Sequence, residues 1–169
     1  MFYLELFRVL EREQVRYLIV GGVAVNLLGA ERLTMDIDLM LGLDPANLAR
    51  FLAVARHLQL KPAVLPVTLE QFCDPATVEG WVRDKHMLAF QLRGPETDAP
   101  SVDILVRPVV PFEQAYGRRK RMMVGDLTVS VAAPQDLIAL KSGTGRQIDQ
   151  ADIRALHRLE ELNSRKRDD

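Results

Sequence analysis

A chain of 169 residues has the length of one compact domain, and 48% hydrophobic with 27% charged residues, 10 Gly and 9 Pro exclude a disordered or collagen-like polypeptide. With 22 Lys and Arg against 23 Asp and Glu, the net charge of -1 calls for neither a polyanion nor an anionic membrane surface, so any nucleic-acid contact must be local. The single cysteine, Cys73, forms no intrachain disulfide, no Cys/His spacing marks a zinc site, and the longest apolar run, residues 17–25, is too short to span a bilayer. Glu5 interrupts the apolar N-terminal stretch and no basic leader precedes it, so the expectation is a soluble cytoplasmic protein.

Leu4, Phe7, Val9 and Leu10 recur at helical spacing and predict an amphipathic helix over 2–13. Residues 17–20 read as a buried strand, which the Gly21-Gly22 pair breaks before a short helix over 23–28 that stops near Gly29. Residues 34–41 alternate, with Asp36, Asp38 and Met40 on one face of a second strand and Met35, Ile37, Leu39 and Leu41 on the other. Asp44 as N-cap, Pro45 at the first helical position and a stripe of Leu48, Phe51, Leu52 and Ala55 predict a helix ending near residue 58. A strand is expected over 61–65 and short helices around 69–72 and 76–81. Residues 87–92 and 101–106 read as paired strands joined by a polar, proline-punctuated loop, 112–116 as a short helix, and 120–124 with 127–131 as a hairpin around Gly125-Asp126. Helices near 134–141 and 148–162 flank Ser142-Gly143-Thr144-Gly145. Strands interspersed with helices, some strands antiparallel, predict an α/β or α+β fold with a mixed twisted sheet flanked by helices, in a single domain over 1–162 followed by a frayed charged tail at 163–169.

Asp36-Ile37-Asp38 carries the most chemical information. Residues two apart on a strand point to the same side, with Cα atoms roughly 6.5–7 Å apart, so both carboxylates can converge on one cation. Mg²⁺ cancels the repulsion of such a pair and keeps coordination positions for water and substrate phosphates. Arg32 and Thr34, just before the pair, supply a cation and a hydroxyl for phosphate oxygens. The glycine pair opens onto a helix start, where free backbone N–H groups accept anions and the missing side chains let a phosphate come close. Taken singly, these features also fit two solvated acids on an edge strand and a plain turn; their spacing as a set is what chance seldom produces.

The run GGVAVNLLGAERLTMDIDLML resembles the first motif of the polymerase-β-like nucleotidyltransferase superfamily, in its form GGxA…RxTxDIDL. Within that superfamily the chain is most similar to minimal bacterial proteins that include abortive-infection nucleotidyltransferase toxins and some aminoglycoside nucleotidyltransferases. The resemblance implies a nucleotidyltransferase fold and two Mg²⁺ ions held by Asp36, Asp38 and a third carboxylate, a position that Asp103 matches inside the apolar run Ser101-Val102-Asp103-Ile104-Leu105-Val106. A carboxylate in such a strand is costly to bury without a partner. The segment LIALKSGTGRQIDQADIRAL is similar to a late motif of the toxin-like subgroup, which assigns Lys141 to the triphosphate and makes Asp149 and Asp152 the acids that follow it. Implied together are transfer of a nucleoside monophosphate from ATP or another nucleoside triphosphate to a hydroxyl of RNA, protein or a small molecule, with Asp36, Asp38 and Asp103 catalytic and metal-binding, and Gly21, Gly22, Arg32, Thr34 and Lys141 contacting the nucleotide. In that mechanism Asp103 and its metal activate the acceptor hydroxyl for in-line attack, while the second metal and Lys141 offset charge on departing pyrophosphate. A toxin of this kind implies a cognate antitoxin as partner. Two departures stand out. Gly21-Gly22 occupies the place of a Gly-Ser pair found in many members, which leaves only backbone N–H groups for the phosphate, and the chain stops short of the large helical domain with which longer toxins recognise an acceptor.

Other features have competing explanations. The glycine pair followed by Asp38 invites a dinucleotide-binding reading, but the GxGxxG order is absent. Lys141 to Gly145 has phosphate-loop ingredients in the wrong order, so it reads as a turn between helices, and Arg146, Asp149 and Asp152 at helical spacing read as surface ion pairs. The run Arg118-Arg119-Lys120-Arg121 fits either an RNA backbone or a solvated cluster before an edge strand. His57, His86, His157 and Cys73 are taken as structural, and Trp81 and Phe90 as core. A non-catalytic binding or regulatory module on the same fold is the rival to an enzyme.

Overall fold

The structure is a computed structural model and describes residues 2–64 and 66–168, with side chains to residue 165. In chain order the elements are α1 (Phe2–Arg12), β1 (Tyr17–Val20), α2 (Gly21–Leu27), β2 (Ile37–Leu41), α3 (Pro45–His57), β3 (Lys61–Pro62), α4 (Leu69–Phe72), α5 (Pro75–Lys85), β4 (Ala89–Arg93), β5 (Val102–Leu105), α6 (Phe112–Arg118), β6 (Lys120–Val124), β7 (Leu127–Val131), α7 (Pro134–Lys141) and α8 (Gln147–Asp168). Leu65, the expected end of the third strand, lies outside the described residues, as do Met1 and Asp169.

The strands form one mixed sheet in the order β3-β4-β5-β2-β1-β7-β6. All four residues of β1 are buried, as befits a central strand covered on both faces. β1 pairs antiparallel with β2 and parallel with β7, and β2 pairs parallel with β5. At the two edges lie the two-residue β3, which contains Pro62, and the Lys- and Arg-bearing β6, both poor templates for further pairing.

Local chemistry accounts for the helix boundaries. The Asp44 carboxylate accepts from the Asn47 N–H at 3.0 Å, and Pro45 follows with no N–H to leave unpaired. Thr68 and Gln71 close a reciprocal capping box over α4. Three rings pack in the core, with Phe90 stacked between Phe72 at 4.6 Å and Trp81 at 5.7 Å.

Several boundaries differ from the sequence expectation. β2 starts at Ile37, not residue 34, because its neighbours offer partners only from there: Ser101 and Val102 on one side and Val20 opposite Asp38 on the other. Asp36 therefore sits just before the strand, and Met35, expected on the apolar face, is 72% exposed. α2 includes the glycine pair, and α8 continues past residue 162 to Asp168. The arginines of the basic run find partners within the chain while Arg118, Lys120 and Arg121 stay exposed: Arg118 grips the buried Asp136, Arg119 stacks 4.0 Å from the Tyr116 ring centroid, and Arg121 reaches Ser130 and Glu11. Among the described residues no helix is long and apolar enough to cross a membrane.

Candidate active site

The topology gathers the site at one end of the sheet. β2 and β5 run parallel, so their N-terminal ends lie side by side; β1 is antiparallel to β2, so its C-terminal end and the start of α2 meet them there. Asp38 lies opposite Asp103 in the β2–β5 register and opposite Val20 in the β1–β2 register. Neighbouring strands are about 4.8 Å apart, so paired residues in a parallel ladder project to the same face and the two carboxylates become close neighbours. Asp36, two residues earlier, is fixed by the Ser101 hydroxyl, which donates to it at 2.8 Å and receives a hydrogen bond from the Gln91 amide at 3.3 Å.

Gly21, Gly22, Arg32, Thr34, Asp36, Asp38, Asp103 and Lys141 all line a single cavity of about 260 Å³, together with Arg146 and several leucines. The glycines are dictated by space as well as conformation. Gly21 has φ +62°, and a Cβ there would fall 2.6 Å from Asp38 Cγ and closer still to its Oδ2. A Cβ on Gly22 would lie 2.7 Å from Thr34 Oγ1 and 2.8 Å from Arg32 Cζ. The GG pair thus lets the carboxylate of Asp38 and the side chains of Arg32 and Thr34 press directly onto backbone. Val20, before the helix, has no capping side chain, so none competes for the first N–H groups of α2.

Electrostatics divides the cavity into two walls. On the acidic wall, burial raises the Asp38 carboxyl above the ordinary range, and the charges of Asp103 and Asp36 push it further; Lys141 and Arg32 pull in the opposite direction. Burial also raises Asp103, with Asp36 adding to it, against hydrogen bonds from Gln91 and Ser101. Among the described residues no group of three or more His, Cys, Asp or Glu side chains forms a ready-made metal site. The donor set is nonetheless all oxygen, three carboxylates lining one cavity, which suits Mg²⁺ rather than a softer ion.

The opposite wall is a buried charge cluster between α7 and α8. Lys141 Nζ lies 3.0 Å from Asp149 Oδ1 and 2.8 Å from Asp152 Oδ2. Asp152 Oδ2 is also 3.5 Å from Arg32 Nε, which ties the loop ahead of β2 to the last helix. Asp149 further accepts from the Thr144 hydroxyl at 2.7 Å and Arg146 Nε at 2.6 Å. Burial alone would raise the Asp149 carboxyl, but the bonds from Thr144, Lys141 and Arg146 outweigh it and hold it low. Asp149 and Asp152 are 1% and 4% exposed, so the surface ion pairs expected from helical spacing are instead interior ones. Sequence reasoning missed Ser101 and Gln91, and read Arg146, which lines the cavity, only as a surface ion-pair partner. Ser101 had a legible signal, two residues before Asp103 and on its face, whereas Gln91 arrives only through β4–β5 pairing.

No protein-family model matches the sequence, and no curated protein does. Solved structures do. The lincosamide antibiotic adenylyltransferase LnuA, solved with lincomycin bound, superposes with a TM-score of 0.60 at 17% identity over 94% of this chain and 94% of that one. ANT(2″)-Ia, in complex with adenylyl-2″-tobramycin, gives 0.58 at 13% identity over 99% and 95%. An antigenic nucleotidyltransferase-like protein from Paracoccidioides brasiliensis gives 0.51 at 19% identity over 95% and 73%. Likeness over nearly the whole length of the first two, despite so little shared sequence, shows that this chain has the nucleotidyltransferase fold.

Proposed function

We propose that this protein is a nucleotidyltransferase that moves a nucleoside monophosphate from a nucleoside triphosphate to a hydroxyl of a small molecule. The observation that carries this reading is Asp38 and Asp103 in register on adjacent parallel strands, with Asp36 beside them, in a cavity floored by Gly21 and Gly22 and faced by cations. Asp38 and Asp103, raised first by burial and then by neighbouring carboxylates, serve packing poorly, and this cost argues against a binding module relieved of chemistry. Asp36, Asp38 and Asp103 would hold Mg²⁺, which when bound supplies neutralising charge to phosphate oxygens and acidifies an acceptor hydroxyl.

The chain's own residues then have distinct roles. Asp103, flanked by Gln91 and Ser101, takes the proton of the acceptor hydroxyl on its carboxylate as the oxygen attacks the α-phosphorus. The α2 N–H groups at Gly21 and Gly22, with Thr34 and Arg32, orient the phosphates. Lys141, on the cavity lining, lends positive charge to the leaving pyrophosphate. A small-molecule acceptor is favoured over RNA by one observation: two solved structures that this chain resembles are named with lincomycin and an adenylylated tobramycin. The toxin-like branch, with RNA or protein as acceptor and an antitoxin as partner, is the other outcome of the test.

The test is incubation of the purified protein and Mg²⁺ with each α-labelled nucleoside triphosphate and, separately, a panel of aminoglycosides and lincosamides, total RNA, and cell protein. A labelled small product that Asp103→Asn cannot form is expected. Label in RNA or protein instead would move the acceptor class, and absence of both transfer and Mg²⁺-dependent nucleotide binding by calorimetry would remove the enzyme reading.

A further inference from the structure

Two cavities meet at one side chain. Leu105 lines the carboxylate cavity and also a second, more apolar one of about 390 Å³, whose other walls come from the chain as it leaves β2 and β5 at their C-terminal ends. The pleat explains the connection. Asp103 and Leu105 lie two residues apart on β5 and share a face, about 7 Å from one another along the strand, and Asp38 and Met40 are related in the same way on β2. The surface of the sheet therefore changes from carboxylate to hydrocarbon within one repeat of the pleat. Met40 and Val110 are buried in the wall of the second cavity, and Leu105 and Phe112 are half-buried. Its charged groups are already paired. Asp44 and Glu113 both face Arg16, at 3.8 and 2.5 Å, and Arg107 lies 3.9 Å from Glu79. Among the described residues that line it, no carboxylate is left over for an ammonium group.

From this junction we infer that the second cavity receives the body of the acceptor, and that the acceptor is an amphiphile. Its hydroxyl-bearing end is placed at Asp103, and its apolar portion lies over Leu105 against Val110 and Phe112. The inference rests on the nucleotidyl-transfer reading and narrows its small-molecule acceptor to that class, in preference to a polycationic sugar such as an aminoglycoside. With the nucleotide on the side of Gly21, Arg32 and Lys141, the side that Leu105 opens is the one left for the acceptor. Apolar burial is non-directional and grows with the area covered, so hydrocarbon in the second cavity sets affinity while a few polar groups at the carboxylates fix the reacting hydroxyl. A polycation gains nothing comparable there, because each ammonium would give up its hydration without a free carboxylate to replace it.

The probes are methyl and octyl β-glucoside, which share a sugar and differ only in alkyl chain, and tobramycin as the polycation. Each is titrated by calorimetry, below micelle-forming concentrations, into protein with Mg²⁺ and α,β-methylene ATP, whose α–β linkage does not react. Each buried methylene is worth about fourfold, so octyl glucoside should bind at least about a hundredfold tighter than methyl glucoside, and tighter than tobramycin. Leu105→Gln and Phe112→Gln, shown by thermal melts to be folded, should each weaken octyl glucoside about tenfold. Met123→Gln, at an exposed apolar position on β6, should leave it unchanged. Equal affinity for the two glucosides, or tighter binding of tobramycin, would overturn the inference. So would an alkyl preference that both folded variants retain, because the chain would then lie elsewhere. Any of these results with α,β-methylene ATP still bound leaves the enzyme reading standing, whereas a wild type that binds no nucleoside triphosphate removes that reading and the inference with it.

Discussion

Replacing Gly21 by Ala tests the architecture of the site with one methyl group. Two costs can be worked out. Gly21 sits at φ +62°, in the left-handed region, where a side chain costs about 1–2 kcal/mol. For a chain of this length each kcal/mol lowers Tm by roughly 2–4 °C, so Tm should fall by about 2–8 °C. The new Cβ would also lie 2.6 Å from Asp38 Cγ, while ordinary carbon contacts are about 3.5–4.0 Å, so the carboxylate must retreat by about 1 Å. A displacement of that size at a reacting group costs on the order of a hundredfold in rate. The neighbouring Gly22→Ala is the contrast. Its φ is not positive, it lies inside α2, where Ala is favoured by roughly 0.5–1 kcal/mol, and what its Cβ meets is the flexible end of Arg32 together with Thr34. That variant should keep its Tm within a few degrees and lose nucleotide affinity. Thermal melts, calorimetry with nucleotide and the labelled-transfer assay read all of these. A Gly21→Ala protein with unchanged Tm and full transfer would refute the claim that close approach of Asp38 to bare backbone builds the site.

Three further outcomes follow from the charges and caps. Asp38 and Asp103 are held above the ordinary carboxylate range, so the native state binds protons that the unfolded chain has released; in EDTA their contribution to stability should fall as pH rises from the unfolded carboxylate pKa through the raised values. Asp38→Asn should therefore raise the metal-free Tm at neutral pH, flatten that pH slope relative to wild type, and abolish transfer; melts across pH check it, and an unchanged slope would contradict the assigned repulsion. Lys141→Met removes the cation shared by Asp149 and Asp152 but leaves Arg146 on the first and Arg32 near the second, so a loss of about 1–3 kcal/mol and a Tm drop of roughly 2–12 °C are expected in thermal melts. Asp44→Ala removes the α3 cap bond to Asn47, on the far end of β2 from Asp38; a loss of about 1 kcal/mol by denaturant titration with transfer unaffected is expected.

Much of this molecule is legible without its tertiary structure, because the relevant forces are local. Alternation, helical periodicity and capping act over a few residues, and they set β1, α3, the β6–β7 hairpin and the GG…DxD spacing. Long-range pairing decided the rest. No local rule indicates that β5 docks parallel to β2 with Asp103 opposite Asp38, that β2 begins only where partners exist at Ile37, or that Gln91 arrives beside Asp103 on β4. The same holds for the cations. Family resemblance assigns Lys141 to the phosphates and helical spacing makes Arg146 a surface charge, but packing α8 on α7 buries Asp149 and Asp152 against the lysine and draws Arg146 Nε onto Asp149. Residue chemistry and spacing are properties of the chain by itself; which charges cancel and which stay available is set by burial and distance, and only the folded arrangement of α7, α8 and the sheet determines those.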